Sequence, residues 1–470
     1  MNLPTFNLRN VLFGARQLGR MRPVSRPTIF LLLAAALPFT AGGLVLGGGD
    51  VSQSDLSQTL VDYFNETDPS QRAKLVAAVE SAAQGSFERV KGVLRELRLW
   101  SEVDGRESII DLDTEPGHRT RLRVTTPKDY DVALPYPLIL VIACSSSDEP
   151  GSLDQDWLDS LPPAFVVARV ETAHCADFHT PPREAGSPRR WLRLLRRRFH
   201  LNADRTYLYG SGRNGDAAFM LALMYSDLFA GVIVREGTLD LPYRKELQQI
   251  LLPNVRHTPV HLIWTRPDIP PDTLLKGRQI QVAVANQSIV KFAEREGLPI
   301  TKTVLSESSS ADPKAWVHML ELKREPLGSD VEHWFRFPAH GQARWLRQAG
   351  FAEPLWHGDQ IDIQAQHAAD QGAFINKVLR SKLVRLNGEI DGQSIIIHSS
   401  RCESVELLLN ASTMDFSQPI HINYNGKRRF SGMVKPGIAT LLESAYETWD
   451  FQHPAYVRLR IGKRGRVLPF

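Results

Sequence analysis

Apolar runs of strand length alternate with helical segments from Tyr136 to Ser308, and no other feature constrains the chain as much. "YPLILVIA" (Tyr136–Ala143) is uninterruptedly apolar, as a strand covered on both faces must be. "AFVVARV" (Ala164–Val170), "TYLYG" (Thr206–Gly210), "AGVIVRE" (Ala230–Glu236), "VHLIWT" (Val260–Thr265) and "ITKTVLSES" (Ile300–Ser308) follow. Between several of them lie helical stretches: "RRWLRLLRRRFHL" (Arg189–Leu201), "DAAFMLALMYSDLF" (Asp216–Phe229) and "QSIVKFAEREG" (Gln287–Gly297). Strands and helices alternating at this spacing predict an α/β fold, a mostly parallel sheet with helices on both faces.

The flanks have a different texture. "DLSQTLVDYF" (Asp55–Phe64) and the stretch Gln71–Trp100 place apolar residues at helical spacing, with Asp68-Pro69-Ser70 as a stop-and-start signal between them. "RTRLRVTTP" (Arg119–Pro127) alternates like an exposed strand. Beyond Phe335 come short runs such as "GQSIIIHSSRCESVELLLNAS", "PIHINYNGKRRFSGMV" and "AYVRLRIGKR", with the hairpin marker Asn425-Gly426 among them. These predict a small all-β, sandwich-like domain. At 470 residues the chain exceeds one ordinary core. The expected division is 1–49 export signal or membrane anchor, 50–105 helical segment, 106–335 α/β domain and 336–470 β domain.

The first segment carries Arg9, Arg16, Arg20, Arg22 and Arg26 with no acid among them, then an uncharged run from Pro27 to Gly49. Basic residues ahead of an apolar run read as an export signal, either cleaved or kept as an anchor associating with a membrane through residues 27–49. The expected location is therefore periplasmic or cell-envelope. The net charge of +4 is small for this length and demands no nucleic-acid partner. Arg189, Arg190, Arg193, Arg196, Arg197 and Arg198 on one helix are read as a solvated face beside the core-forming Trp191, Leu192 and Leu195, in preference to a nucleic-acid or lipid-headgroup surface. Of three cysteines, Cys144 and Cys175 each follow a strand-like run, and both a disulfide between them and two buried thiols fit. His174, Cys175, Asp177 and His179 match no standard zinc spacing, so no metal is assigned. There is neither a Gly-Lys-Ser/Thr phosphate loop nor a dinucleotide fingerprint, and no cofactor is expected.

Tyr207–Gly237, "YLYGSGRNGDAAFMLALMYSDLFAGVIVREG", runs from a buried strand through a glycine-rich turn into a helix. It resembles the esterase-like α/β-hydrolases related to polyhydroxybutyrate depolymerases and feruloyl esterases, in their large exported bacterial form with a C-terminal β-domain. In that family the turn reads G-x-S-x-G-G, the serine sitting on a strained strand-to-helix elbow. "TTPKDYDVALPYPLILVI", "LNADRTYLYG" and "VELLLNASTMDFSQPIHINYNGKRRFSGMV" extend the resemblance over most of residues 55–465.

Carried over residue by residue, the match places Gly210 at the first glycine, Ser211 at the variable position, Gly212 at the nucleophile, Arg213 after it, and Asn214 and Gly215 at the last two glycines. Glycine thus stands where the nucleophile belongs. The oxyanion loop implied after the strand reads "CSSSDEP", with Cys144 and Ser145 at its start. The acid implied by the resemblance is Asp268, with Asp272 as a spare. The segment implied to hold the histidine, "ESSSADPKAW", has none, and His318 follows it on an expected helix face. Two readings follow. One is a protein with a degenerate triad that binds an unidentified small molecule, polymer or protein. The other is an active serine esterase with a displaced nucleophile, Ser211, served by Asp268 and by His318 or another histidine.

Overall fold

The computed structural model describes residues 51–470 apart from 104, 116–117, 145–160, 163, 173–186, 240, 242–243, 267–273, 307–313, 327, 352–369, 463–466 and 470. The uncharged run of residues 27–49 lies outside the described residues. Among the described residues, no helix is long and apolar enough to cross a membrane.

Eight strands form the central sheet: β1 Glu107–Glu115, β2 His118–Thr125, β3 Tyr136–Cys144, β4 Val166–Thr172, β5 Leu201–Ser211, β6 Gly231–Arg235, β7 Val260–Thr265 and β8 Ile300–Leu305. Their order across the sheet is β1-β2-β4-β3-β5-β6-β7-β8. β1 and β2 run antiparallel to their neighbours, while every pairing from β4 to β8 is parallel. The apolar run of β3 is buried because both faces are covered: Leu138, Leu140 and Ile142 meet one core, Ile139 and Val141 another. β1 escapes the sequence patterning, being an edge strand whose Ile109 is half exposed.

Three N-terminal helices, α1 Val51–Asn65, α2 Pro69–Ala82 and α3 Phe87–Glu96, occupy the predicted helical stretch. Asp68 caps α2, its carboxylate accepting the Ser70 N–H at 2.8 Å, with Pro69 preset at the first turn. Further along, α4 spans Pro188–Arg198, α5 Arg213–Met224, α6 Arg244–Leu251, α7 Leu274–Glu296, α8 Gln371–Lys382 and α9 Ile438–Thr448. α4 buries Trp191, Leu192 and Leu195 as patterned and exposes Arg193, Arg197 and Arg198. Arg196 departs from the expected solvated face: it is buried beneath the segment that follows α9, its Nη1 donating to the Thr448 carbonyl at 3.3 Å.

The C-terminal part is a sandwich. Strands β9 Asp330–Phe335, β10 Gln342–Ala343, β11 Leu346–Phe351, β12 Val384–Asp391, β13 Ser394–Ser400, β14 Cys402–Leu409, β15 Ile420–Tyr424, β16 Lys427–Gly432, β17 Val457–Gly462 and β18 Val467–Pro469 form two five-stranded sheets. Their inner faces share one core containing Phe335, Leu386, Ile397, Leu407, Ile422 and Leu459. The sandwich takes its edge strand β9 from Asp330–Phe335, ahead of the change in texture. α8 and α9 interrupt what the sequence suggests is all β.

α9 does not pack within the sandwich alone. Its Leu441, Leu442 and Ala445 share a core with Leu60, Phe64, Val79 and Val90 of α1–α3. Phe64 stands edge-on to Trp449 and Phe451, with ring centroids 5.4 and 5.0 Å apart. The first helices therefore dock on the last helix. If that aromatic seam holds the two ends of the chain together, a double-mutant cycle on Phe64→Leu and Phe451→Leu will show a coupling of about 0.5–1.5 kcal/mol in urea unfolding. Additive effects would remove the seam from the account.

Candidate functional site

The sheet's C-terminal edge is where a doubly wound fold places its chemistry, and β5 reaches it at Ser211. The chain then turns into α5 through a single residue, Gly212, at φ 60° and ψ −128°. This backbone is strained for any residue with a Cβ. The Gly212 N–H still donates to the Arg235 carbonyl at 2.9 Å, and its carbonyl accepts from Gly215 at 3.0 Å, so one residue ends the ladder and starts the helix.

The glycines around it are there for contact. A Cβ on Gly210 would lie 2.2 Å from the Asn214 carbonyl oxygen and 2.8 Å from the Ala218 Cβ. On Gly215 a Cβ would approach the Arg235 carbonyl oxygen to 2.8 Å, and on Gly237 it would meet the Gly215 carbonyl carbon at 2.6 Å. A Cβ on Gly212, by contrast, would meet nothing within 4 Å. This is a nucleophile elbow in backbone, with an open place for a side chain and no side chain in it. Together with the strand order, it decides the fold. The chain has an α/β-hydrolase fold.

Solved structures similar to the chain include a thermostable esterase, 15% identical, over 47% of this chain and 64% of its own length, with a TM-score of 0.35. A siderophore hydrolase from Aspergillus nidulans is 11% identical, over 47% of this chain and 96% of its own, with a TM-score of 0.33. An S-formylglutathione hydrolase from Staphylococcus aureus is 12% identical, over 46% and 98%, with a TM-score of 0.32. No family model and no curated protein matches the chain. The α/β-hydrolase assignment rests on strand order and elbow, not on these likenesses.

Several hydrogen-bonding groups around the elbow are paired among themselves. Asn214, in a glycine position of the family pattern, turns its Oδ1 to the Cys144 N–H at 2.8 Å. One of the two N–H groups expected to face an oxyanion is thus spent inside the protein. Arg213 keeps an N–H of the kind every helix start leaves without an intrahelical acceptor. Ser145 lies outside the described residues. Cys144 is disulfide-bonded and Cys402 is a buried free thiol; Cys175, His174, Asp177 and His179 lie outside the described residues. Among the described residues, no cluster of three or more His, Cys, Asp or Glu could hold a metal ion.

Ser211 is the last residue of β5 and half-buried. Its hydroxyl lies by that of Tyr209, whose pKa burial raises while the serine works against the rise. His318 lies elsewhere, exposed on a 3-10 turn, His318–Glu321, after the short helix Lys314–Val317. Its ring stands edge-on to His261, 5.3 Å between centroids. The ladder puts His261 level with Ile233 and Tyr209, two residues below Ser211 and two strands away, about 10 Å laterally. The structure therefore does not bring His318 to Ser211. Asp268 and Asp272 lie outside the described residues.

Sequence reasoning missed three groups here. Asp216 accepts from the Thr238 N–H at 2.7 Å and from Arg278 Nη2 at 3.0 Å, tying α5 to the loop after β6 and to α7. Glu236, at φ 47°, accepts from the Thr265 N–H at 2.7 Å and its hydroxyl at 2.6 Å. His261 is buried between Thr301 Oγ1 at 2.7 Å and Thr303 Oγ1 at 3.0 Å, and burial, then the nearby His318, pulls its pKa down to about 4. Only Asn214 had a sequence signal, as a non-glycine in a glycine position.

Two expectations follow. Gly210→Ala will cost more than about 3 kcal/mol, because backbone must move. Gly212→Ala will cost about 1–3 kcal/mol, from its backbone conformation alone. Denaturant midpoints showing the reverse order would contradict the elbow geometry. Second, His261 is neutral when folded but protonates below about 6.5 when unfolded. The unfolded chain then binds the extra proton, so stability falls as the pH drops from about 6.5 towards 4. The His261 share of that loss is on the order of 2–3 kcal/mol. A His261→Gln variant should show a shallower decline in urea midpoint over that window, and an unchanged slope would refute the assignment.

Proposed function

We propose that the chain is an exported α/β-hydrolase-fold protein that acts by binding, without ester hydrolysis. The observation that carries this reading is Gly212 standing in the elbow, where acyl transfer requires a nucleophile. Two further facts support it. The Cys144 N–H is taken by Asn214, which weakens the electrostatic stabilisation that acyl transfer depends on. Ser211 neighbours Tyr209, and His318 rests on His261, whereas a general base needs to come within about 2.6–3.2 Å of the hydroxyl it activates. The fold itself does not decide activity, since site and scaffold vary independently.

Export is the second half of the proposal. The arginines ahead of the uncharged 27–49 run support it, and so does the disulfide at Cys144, a bond at home in oxidising compartments. The ligand is a small molecule, a polymer or a protein surface held above the sheet edge.

The test is labelling of the full chain with a fluorophosphonate, beside a Ser211→Ala variant, with a cooperative unfolding transition as proof of folding. The expected result is no labelling of either. Labelling that disappears in Ser211→Ala would establish an activated serine and a slipped elbow, and the binding reading would fall.

A further inference from the structure

Away from the elbow, α4, the 3-10 turn Ser226–Leu228, the start of the sandwich and the segment after α9 enclose a cavity of about 130 Å³. A single water needs about 10–15 Å³ on that measure, so the space suits a group of several heavy atoms. Its wall carries five arginines, Arg189, Arg196, Arg324, Arg344 and Arg347, against three carboxylates, Asp227, Glu447 and Asp450.

The pairing is uneven. Arg189 Nη2 donates to both Asp227 carboxylate oxygens, at 2.8 and 2.9 Å, and to the Gln342 carbonyl at 3.0 Å. Arg324 donates to Asp450 at 2.7 Å and to Asp204 behind the wall at 3.3 Å, and His453 Nε2 lies 2.8 Å from the same Asp204. Arg347 meets Glu406 and Glu447, each at 3.2 Å. Those three guanidiniums consume the acids. Arg196 has only the Thr448 carbonyl, and its Nε and Nη2 have no partner. The Arg344 guanidinium has only the Asp330 carbonyl at 3.2 Å, with no partner at Nη2, while the Arg344 backbone N–H donates to Asp227 at 3.3 Å. Arg196 is 4% exposed and Arg344 9%. Neither guanidinium hydrogen-bonds a carboxylate, and buried donor nitrogens left over on one cavity are costly unless acceptors meet them.

We infer that this cavity is a binding site for a doubly charged oxyanion, a phosphate group, held between Arg196 and Arg344. Arginine's planar fork matches phosphate oxygens in pairs. A phosphate near neutral pH offers several strong acceptor oxygens, which would meet the guanidinium nitrogens of Arg196 and Arg344 that have no partner. The remaining space accommodates part of whatever carries the phosphate. This goes beyond the proposed function and does not depend on it, since no elbow residue lines the cavity.

The experiment titrates inorganic phosphate, and separately glycerol 3-phosphate, into the full chain at constant ionic strength against chloride, following Tm. A saturable rise with either ligand, absent with chloride, is expected, and the ratio of their affinities tells a free phosphate from a carried one. Arg344→Gln and Arg196→Gln should each weaken binding about tenfold or more, the loss of charged hydrogen bonds. Arg193→Gln, an exposed change on the same helix, should leave it intact. Should Arg196→Gln fail to fold, Arg344→Gln decides alone. No saturable rise, or a rise that survives in Arg344→Gln, would overturn the site.

Discussion

Backbone meets backbone where β5 turns into α5, and the top of the sheet is arranged around that contact. Gly215 lies against the Arg235 carbonyl and Gly237, and Gly210 against Asn214, at separations that leave no room for a Cβ. Helix and strand can approach so closely only if the chain reverses in one residue, and that residue must accept a positive φ. A catalytic serine at this point would bear that strain for the sake of reactivity. With glycine there the strain largely vanishes, while the close packing that defines the turn is kept. Elbow and nucleophile are thus separable, because the glycine contacts are a requirement of packing and the side chain between them is not.

Once the nucleophile position is empty, an unpaired N–H pointing into the pocket has only a desolvation cost to show for itself. Asn214 removes that cost at Cys144. Glu236 does similar work on the Thr265 N–H and hydroxyl, and Asp216 on Thr238 and Arg278. Along the described part of the sheet edge these side chains thus tie neighbouring backbone and side-chain groups to one another. On β7, beside the edge strand β8, His261 lies between two threonine hydroxyls, and its depressed pKa follows first from burial.

How much of this is legible in the sequence follows from what each residue answers to. The parallel strands declare themselves because covering both faces makes Tyr136–Ala143 apolar without a break, and the Asp68-Pro69-Ser70 break is visible because capping chemistry is local. Edge strand β1 stays hidden since Ile109 faces water and charged residues break its short apolar run. Helix α9 is hidden for another reason: its apolar face is completed by α1–α3, almost the whole chain away. At the site, glycine in the nucleophile position and asparagine in a glycine position are both visible in "GSGRNG". The partner of Asn214 is not, for nothing local links residue 214 to residue 144. Arg196 is the sharpest case. Its neighbours Arg193, Arg197 and Arg198 follow the amphipathic pattern and are exposed, but helical period alone does not reveal that a second element covers the flank where Arg196 sits.

That covering element ties the molecule's two unusual regions to one cause. The segment after α9 brings Asp450 and His453 down onto Arg324 and Asp204, the latter on β5 itself, at 2.7–3.3 Å. Burial alone would raise the Asp450 pKa, yet Arg324, with help from Arg196 and His453, holds it down to about 2, so it stays charged and its partners stay drawn in. A buried ion network of this kind adds little net stability, since desolvating the charges offsets most of their attraction. Its geometry is nevertheless demanding, and it fixes the sandwich and its helix against the start of the strand that ends in the elbow. Docking the C-terminal part there buries Arg196 and leaves its Nε and Nη2 without a partner. Those leftover donors therefore belong to the same contacts that hold the β domain on the sheet.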